Sequence, residues 1–191
     1  KGFKSLKALA VKGDARAQNE LGIRYEYGKE VLEDDKEAVK WYRKAAAQGH
    51  PTAQTTLGQM YRFGNGVKQD DKEAVEWYRK AAEQGHPSGQ VCLAQMYRDG
   101  KGVKQDYKKA IEWFTKAAEQ GYPIAHRGLG FLHLVGWGVP KDNEKAYAWF
   151  TISVANGLAD AKKSMSSVAK NMTPEQITKA ESLAKEMIKK N

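Results

Sequence analysis

The sequence predicts an all-α fold built from repeated pairs of helices, and three observations support this prediction. Glycines recur every 36 residues, at Gly13, Gly49, Gly85, Gly121 and Gly157. The same spacing separates Trp41, Trp77, Trp113 and Trp149. Between these markers, apolar residues recur at helical spacing on both sides of a glycine-rich loop. Such self-similarity is typical of repeat architectures, in which each unit buries its apolar side by stacking on its neighbours.

The first helix of a unit, helix A, is clearest in the second unit. We expect it to begin at Pro51, because proline at the first helical position loses no hydrogen bond. Its apolar stripe follows at helical spacing: Ala53, Leu57 and Tyr61. Small residues recur beside this stripe, where we expect helices to approach closely: Gly22, Gly58, Ala94 and Gly130.

The second helix, helix B, is predicted to begin after Asp70 and to end before Gly85. Asp70 is a good N-cap, and Glu73 has the spacing of a capping box, in which each side chain binds the other residue's N–H. Gly85 supplies the left-handed residue that commonly ends a helix. The predicted buried side is Ala74, Trp77, Tyr78, Ala81 and Ala82. Its tryptophan and tyrosine are expected to fill the gaps beside the small residues of helix A.

The repeat predicts four complete units within a single domain over 1–191, at residues 14–49, 50–85, 86–121 and 122–157. Residues 1–13 match the end of a helix B, which indicates a partial repeat or an N-terminal cap. Residues 158–191 lack the glycine-rich loop, and Thr173 begins a final helix to about Lys189, so we expect a capping helix pair there. The sequence begins with lysine rather than Met, so either a signal peptide was removed or the sequence was trimmed.

Composition and charge exclude several classes of function. The net charge is +9, but four lysines without an acid lie in residues 1–13 and seven lysines against four acids in residues 159–191. A stripe that follows phosphates should cross the body of a protein, so we predict no nucleic-acid partner. The single cysteine, Cys92, excludes an intramolecular disulfide framework. No apolar stretch approaches the ~18 residues of a membrane span.

The polar motifs predict no catalytic residue, no metal and no cofactor. The glycine-rich loops join helix to helix, whereas phosphate-binding loops follow a strand. His126 and His133 lie about 10 Å apart along one predicted helix, too far for one metal ion. Ser167 and Lys170 have the spacing of penicillin-recognising enzymes, but the companion motifs of those enzymes are lacking.

The consensus of the units resembles a known repeat. Residues 53–85 fit A-x-x-x-L-G-x-x-Y-x-x-G-x-G-V-x-x-D-x-x-x-A-x-x-W-Y-x-x-A-A-x-x-G, which is similar to the Sel-1-like repeat, a relative of the tetratricopeptide repeat. The resemblance implies a right-handed α-solenoid with A helices along a concave side. It also implies a bacterial adaptor or binding protein, periplasmic or secreted, with a cytoplasmic location left open. Glu30 replaces the glycine of the other units, so we expect the first loop to follow a different path.

Helical geometry indicates which side chains face a partner. If Leu21 points into the core, Asn19 and Tyr27 point away from it at 100° per residue. Such positions differ among the units, whereas the core positions repeat, and the resemblance implies that they lie on the concave side. The predicted partner-binding residues are Asn19, Ile23, Glu26, Tyr27, Thr55, Gln59, Arg62, Phe63, Val91, Gln95, Arg98, Asp99, Arg127 and Phe131.

Two apolar groups stand out as candidate contacts. Ile23, Tyr27 and Phe63 have no evident core to fill, and beside Arg62 and Arg98 they suit an interface hot spot. The second group is Phe131, Leu134, Val135 and Trp137. We expect the C-terminal helices to cover this second group; if they leave it exposed, it becomes the better binding site.

The sequence therefore predicts a non-catalytic, monomeric scaffold that binds a protein or peptide partner along its A helices. Two alternatives stay open. One is an immunity-type inhibitor that blocks a toxic effector, a role that the resemblance allows. The other is a cell-envelope glycan-binding protein or hydrolase, whose clearest carboxylates would be Glu26 and Asp99. These two carboxylates lie two repeats apart, too far to act together if the A helices stack at about 10 Å.

Overall fold

A computed structural model describes the backbone of residues 2–190 and the side chains of residues 2–189. Over these residues the chain forms eleven α-helices and no strand. The helices are α1 (Phe3–Val11), α2 (Ala15–Glu26), α3 (Asp35–Ala47), α4 (Pro51–Phe63), α5 (Asp71–Glu83), α6 (Pro87–Asp99), α7 (Tyr107–Ala118), α8 (Pro123–Val135), α9 (Asn143–Ala155), α10 (Ala161–Ala169) and α11 (Pro174–Lys190). Lys1 and Asn191, which belong to the predicted terminal segments, lie outside the described residues.

The helices follow the predicted order of the repeat. The A helices are α2, α4, α6 and α8, the B helices are α3, α5, α7 and α9, and α10 and α11 form the C-terminal pair. Pro51 begins α4, and Gly64 ends it with a left-handed φ of 76°. At the start of α11, Gln176 N donates to Thr173 Oγ1 over 3.3 Å and Thr173 N donates to Gln176 Oε1 over 2.8 Å, so this cap is confirmed.

The capping box predicted at Asp70 forms only in part. The Asp70 carboxylate accepts the backbone N–H groups of Lys72 and Glu73, as a cap should. The Asp70 N–H, however, donates to the Tyr61 carbonyl over 2.9 Å and needs no side-chain partner. Glu73 instead accepts the indole N–H of Trp77 over 3.1 Å. The reciprocal bond was therefore a wrong prediction, because the end of helix A already satisfies that N–H.

The chain divides into two compact units, Lys1–Lys104 and Gln105–Asn191. The first unit contains α1–α6, with each B helix packed on the A helix before it. In the second unit, α9 packs against α8, α10 and α11. A single continuous domain over 1–191 stays a prediction. None of the described helices combines the length and the apolar character that crossing a bilayer requires.

Glycine on helix A allows the close helix contacts that the sequence predicts. A Cβ on Gly58 would lie 2.6 Å from the Tyr78 ring, and one on Gly22 would lie 2.7 Å from the Tyr42 ring. Both tyrosine rings are completely buried. The expected contribution of tryptophan to this gap is not observed: Trp77 is only partly buried, and Lys80 Nζ lies 4.1 Å from the Trp77 ring centroid.

Buried glutamines link successive repeats, a feature that the sequence analysis missed. Gln54 donates to the carbonyl of Ala46, at the end of the preceding B helix, over 3.1 Å. The Gln54 side-chain oxygen accepts from Gln84, at the end of its own B helix, over 2.7 Å. Gln18 makes the equivalent bonds one repeat earlier. Because the amide carries both a donor and an acceptor, one buried side chain satisfies polar groups on two helices.

The first loop keeps the path of the others, contrary to the expectation for Glu30. Glu30 has a φ of 64°, close to the 67° of Gly66. A Cβ on Gly66 would overlap the Asp35 backbone in the first turn of α3, so that position requires glycine. Glu30 instead lies beside α1, where its carboxylate accepts the Phe3 N–H over 3.1 Å. An ion pair of 2.6 Å with Arg24 also holds it. These contacts offset the strain of the left-handed conformation.

Candidate functional site

Most predicted partner-binding residues lie on α2, α4 and α6 of the first unit, and they differ sharply in exposure. Asn19, Thr55 and Val91, which share one repeat position, are buried with 9%, 4% and 3% of their surface accessible. Their assignment to an exposed side was therefore wrong. The prediction allowed one buried stripe per A helix, whereas an inner helix of a stack is buried over a wider arc.

Ile23 and Glu26 also have internal partners. Ile23 is partly buried and packs against the core cluster that contains Tyr42 and Leu57, so the expectation that it has no core to fill was wrong. Glu26 accepts a hydrogen bond of 2.5 Å from the Tyr42 hydroxyl. Burial, and then the Glu26 carboxylate, raise the pKa of Tyr42 far above its ordinary value. Glu26 thus stabilises the repeat through its bond with Tyr42.

The remaining predicted residues of the first unit, together with Lys29, form a surface at the C-terminal ends of α2, α4 and α6, which we call the A-end surface. Tyr27 and Phe63 hold the same position in successive repeats and are 62% and 63% exposed. The A-end surface consists of the exposed Tyr27, Lys29, Gln59, Phe63 and Asp99 and the partly buried Arg62, Gln95 and Arg98. Exposed aromatic rings at repeated positions distinguish this surface, because a folded protein normally buries such side chains.

A cation accompanies each exposed aromatic ring. Lys29 Nζ lies 5.5 Å from the centroid of the Tyr27 ring, and Arg62 Cζ lies 5.2 Å from that of Phe63. Arg62 also donates to the side-chain oxygen of Gln95 over 3.2 Å, which ties α4 to α6. These contacts restrict the rotamers of the surface side chains before any partner arrives.

The two acidic groups among the predicted residues of the first unit are already engaged. Arg98 binds both carboxylate oxygens of Asp99, over 2.7 and 3.1 Å. Glu26 is held by Tyr42, and its charge raises the pKa of the neighbouring Tyr27. Neither Lys29 nor Arg62 has a carboxylate within ion-pair distance among residues 2–189. The A-end surface therefore presents cations whose charge no acid balances.

In the second compact unit, Gln105–Asn191, the C-terminal helices cover the predicted apolar cluster of Phe131, Leu134, Val135 and Trp137 only in part. Leu134 packs against the cluster of Phe150 and Val168, so the expectation that the C-terminal helices cover it is confirmed there. Phe131 and Trp137 stay 37% and 40% exposed, contrary to that expectation. Both rings nevertheless have aromatic partners, since the Trp137 centroid lies 5.1 Å from that of Tyr107 and 5.6 Å from that of Phe131. Of the remaining predicted residues, Arg127 is partly buried.

Several titratable side chains outside the A-end surface are buried or partly buried, which shifts their pKa values. Among the described residues, no group of three or more His, Cys, Asp or Glu could hold a metal ion. Burial raises the pKa of the Cys92 thiol to about 11, so it is protonated at neutral pH. Burial also lowers the pKa of His126 and His133. His126 is enclosed, with its ring centroid 5.7 Å from that of Trp149.

Comparison with known proteins gives related structures in several bacteria. A Sel1 repeat protein from Oxalobacter formigenes is 38% identical over 80% of this chain and 62% of its own, with a TM-score of 0.76. A protective antigen of uropathogenic Escherichia coli with the SLR fold is 32% identical over 98% of this chain and 49% of its own, with a TM-score of 0.75. The chain thus spans less than two thirds of both relatives. Helicobacter pylori cysteine-rich protein B is 26% identical over 64% of this chain and 92% of its own, with a TM-score of 0.52. No curated protein sequence matches significantly.

The family itself follows from the repeats. The family model of the Sel1 repeat matches this sequence at four places, residues 15–50, 51–86, 87–122 and 123–158. Sel1 repeats generally act as scaffolds for protein interactions and not as catalysts. The predicted all-α repeat fold is confirmed by the helices described above and by these relatives. The chain therefore belongs to the Sel1 repeat family.

Proposed function

We propose that this chain is a non-catalytic binding module whose A-end surface receives a protein or peptide partner. The observation that carries the proposal is the exposure of Tyr27 and Phe63, at 62% and 63%, in equivalent positions of successive repeats. Large aromatic side chains and arginine supply most of the energy of protein interfaces. Burying these rings under a partner would remove apolar surface from water, at about 25 cal/mol per Å².

Several side chains of the A-end surface are held in place before a partner binds, and this supports the same proposal. Arg62 is fixed between the Phe63 ring and Gln95, and Arg98 is fixed on Asp99. Each immobilised long side chain costs about 0.5–1.5 kcal/mol on binding, and contacts that exist beforehand reduce this cost. A partner would then meet side chains that need little rearrangement.

The test is affinity capture from a lysate and an envelope fraction of the source organism, followed by mass spectrometry. The full chain is compared with a Tyr27→Asp/Phe63→Asp variant. Val11→Asp is the matched control, because Val11 is an apolar side chain of the same unit that is 68% exposed and lies on α1. Circular dichroism verifies that all the variants keep their helical content.

We expect a partner that the wild type and the Val11→Asp variant retain and that the double variant loses. Retention by the double variant contradicts the assignment of the A-end surface. A Phe131→Asp variant then tests the exposed aromatic residues of the second unit. The identity of the partner separates the alternatives, since an immunity-type inhibitor would retain a toxic effector and a glycan-binding protein would retain an envelope polysaccharide.

A further inference from the structure

We propose that the partner presents an acidic linear segment, in which carboxylates meet Arg62 and Lys29 and neighbouring apolar side chains cover Phe63 and Tyr27. This inference rests on the proposed function and specifies the chemistry of the partner. It follows from the charges of the A-end surface and from the contacts of Arg62.

The charges around this surface are unequal. The C-terminal ends of α2, α4 and α6 and the tips of the loops that follow them carry the cations Lys29, Arg62, Arg98 and Lys101. The same positions carry the acids Glu26 and Asp99, which are bound to Tyr42 and Arg98. Of the further acids nearby, Glu20 and Glu30 both pair with Arg24, and Glu33 lies exposed in the first loop. An approaching acidic segment therefore meets excess positive charge, which favours its association.

Arg62 differs from the residues at its equivalent positions. The first repeat has Glu26 there, bonded to Tyr42, and the third has Arg98, bonded to Asp99. The fourth has Leu134, which packs in the core. Arg62 has the neutral side chain of Gln95 and the Phe63 ring as partners, and it also lies beside the buried Tyr78 hydroxyl. A partly buried cation without a counter-ion gains strongly from an incoming carboxylate, because charge-assisted hydrogen bonds are about twice as strong as neutral ones.

The position of the aromatic rings determines what should flank the carboxylate. Lys29 lies over Tyr27 and Arg62 over Phe63, so a cation and an aromatic ring adjoin at both places. A carboxylate bound to either cation brings its neighbouring side chains onto the exposed part of the ring. Leucine or phenylalanine next to an acid fits such a pair better than a uniformly acidic run, since the ring then buries apolar surface.

The experiment uses fluorescence anisotropy with the full chain and three labelled decapeptides. One alternates glutamate with leucine and phenylalanine, the second has glutamine in place of each glutamate, and the third has lysine there. Each peptide is titrated at 50 and 300 mM NaCl with the wild type, Arg62→Gln and Lys29→Gln. Lys108→Gln is the control, because Lys108 is an exposed cation on α7 of the other unit.

We expect the glutamate peptide to bind about tenfold more tightly than the glutamine peptide, and its affinity to fall with salt. Arg62→Gln and Lys29→Gln should each weaken it, whereas Lys108→Gln should not. Arg62→Lys retains the charge and should restore part of the affinity if Arg62→Gln unfolds in a thermal melt. Equal binding of the glutamate and glutamine peptides, preference for the lysine peptide, or no binding of the glutamate peptide overturns the inference.

These outcomes are separable from those of the proposed function. If the capture experiment loses its partner in the Tyr27→Asp/Phe63→Asp variant while the glutamate peptide shows no preference, the surface is correct and the acidic chemistry is wrong. If the glutamate peptide binds equally well to wild type and to the Arg62→Gln and Lys29→Gln variants, its site lies elsewhere. If every A-end variant still retains both the captured partner and the peptide, both proposals are contradicted.

Discussion

The Tyr42 hydroxyl donates a 2.5 Å hydrogen bond to the Glu26 carboxylate, which joins the end of α2 to the middle of α3. The fourth repeat has Leu134 and Phe150 at the equivalent positions, and both pack in one core cluster. Two chemically different pairs therefore fill the same place in the repeat. This relationship explains why Glu26 belongs to the fold although its position faces the A-end surface in other repeats.

Replacing Glu26 by leucine and Tyr42 by phenylalanine together should lower the free energy of unfolding less than either replacement alone. Tyr42→Phe leaves a partly buried carboxylate without its donor, so we expect a loss of about 1–3 kcal/mol in the free energy of unfolding. Glu26→Leu should cost a similar amount, because the completely buried Tyr42 hydroxyl loses its acceptor. The double variant should lie close to wild type. Urea denaturation followed by circular dichroism measures all three; losses that simply add would contradict the pairing.

Gly58→Ala should destabilise the chain, although alanine is the better helix former. In an exposed helix this change would stabilise by about 1 kcal/mol. Here the new Cβ would lie 2.6 Å from the completely buried Tyr78 ring, and overpacking of this kind typically costs about 1–3 kcal/mol. Ala94→Gly, at the equivalent position of the third repeat, is the comparison. A higher midpoint of urea denaturation for Gly58→Ala than for wild type would disprove the close contact.

The loop position shared by Glu30 and Gly66 should respond differently to alanine in the two repeats. Gly66→Ala introduces a Cβ that overlaps the Asp35 backbone, in addition to left-handed strain of about 1–3 kcal/mol. Glu30→Ala keeps a conformation that a side chain already adopts and loses only surface contacts with Arg24 and Phe3. We therefore expect a larger fall in melting temperature for Gly66→Ala. A larger fall for Glu30→Ala would show that the carboxylate contacts dominate.

Stability should decrease as the pH falls from 7.5 to 5.5. Burial lowers the pKa of all four histidines, His50, His86, His126 and His133, below the ordinary value of 6.5. The unfolded chain then binds more protons near pH 6 than the folded one, so the free energy of unfolding is highest above pH 6.5 and declines below it. His126→Gln should reduce the decline. Chemical denaturation at both pH values measures it, and a constant or rising stability towards pH 5.5 would contradict the pKa directions.

The repeat length, the proline starts, the aspartate caps and the glycine close contacts could be predicted because each depends on residues near one another in sequence. The burial of Asn19, Thr55 and Val91 could not be predicted, because it depends on contacts that an inner helix makes beyond its own repeat. The loop path at Glu30 was also mispredicted. The need for glycine at Gly66 arises from the first turn of α3, which is distant in sequence from that loop. In the candidate site, the identity of the exposed rings was predictable, whereas the pairing of Glu26 with Tyr42 was not.

Site-specific photocrosslinking tests the central claim most directly. The photoreactive residue p-benzoylphenylalanine replaces Phe63 in one sample and Val11, the exposed residue of α1, in another, and both are irradiated in cells of the source organism. We expect one discrete crosslinked protein at position 63, lost when Arg62 is also changed to glutamate, and none at position 11. Equal crosslinking at both positions, or crosslinking found only when Trp137 is replaced in the same way, would contradict binding at the A-end surface.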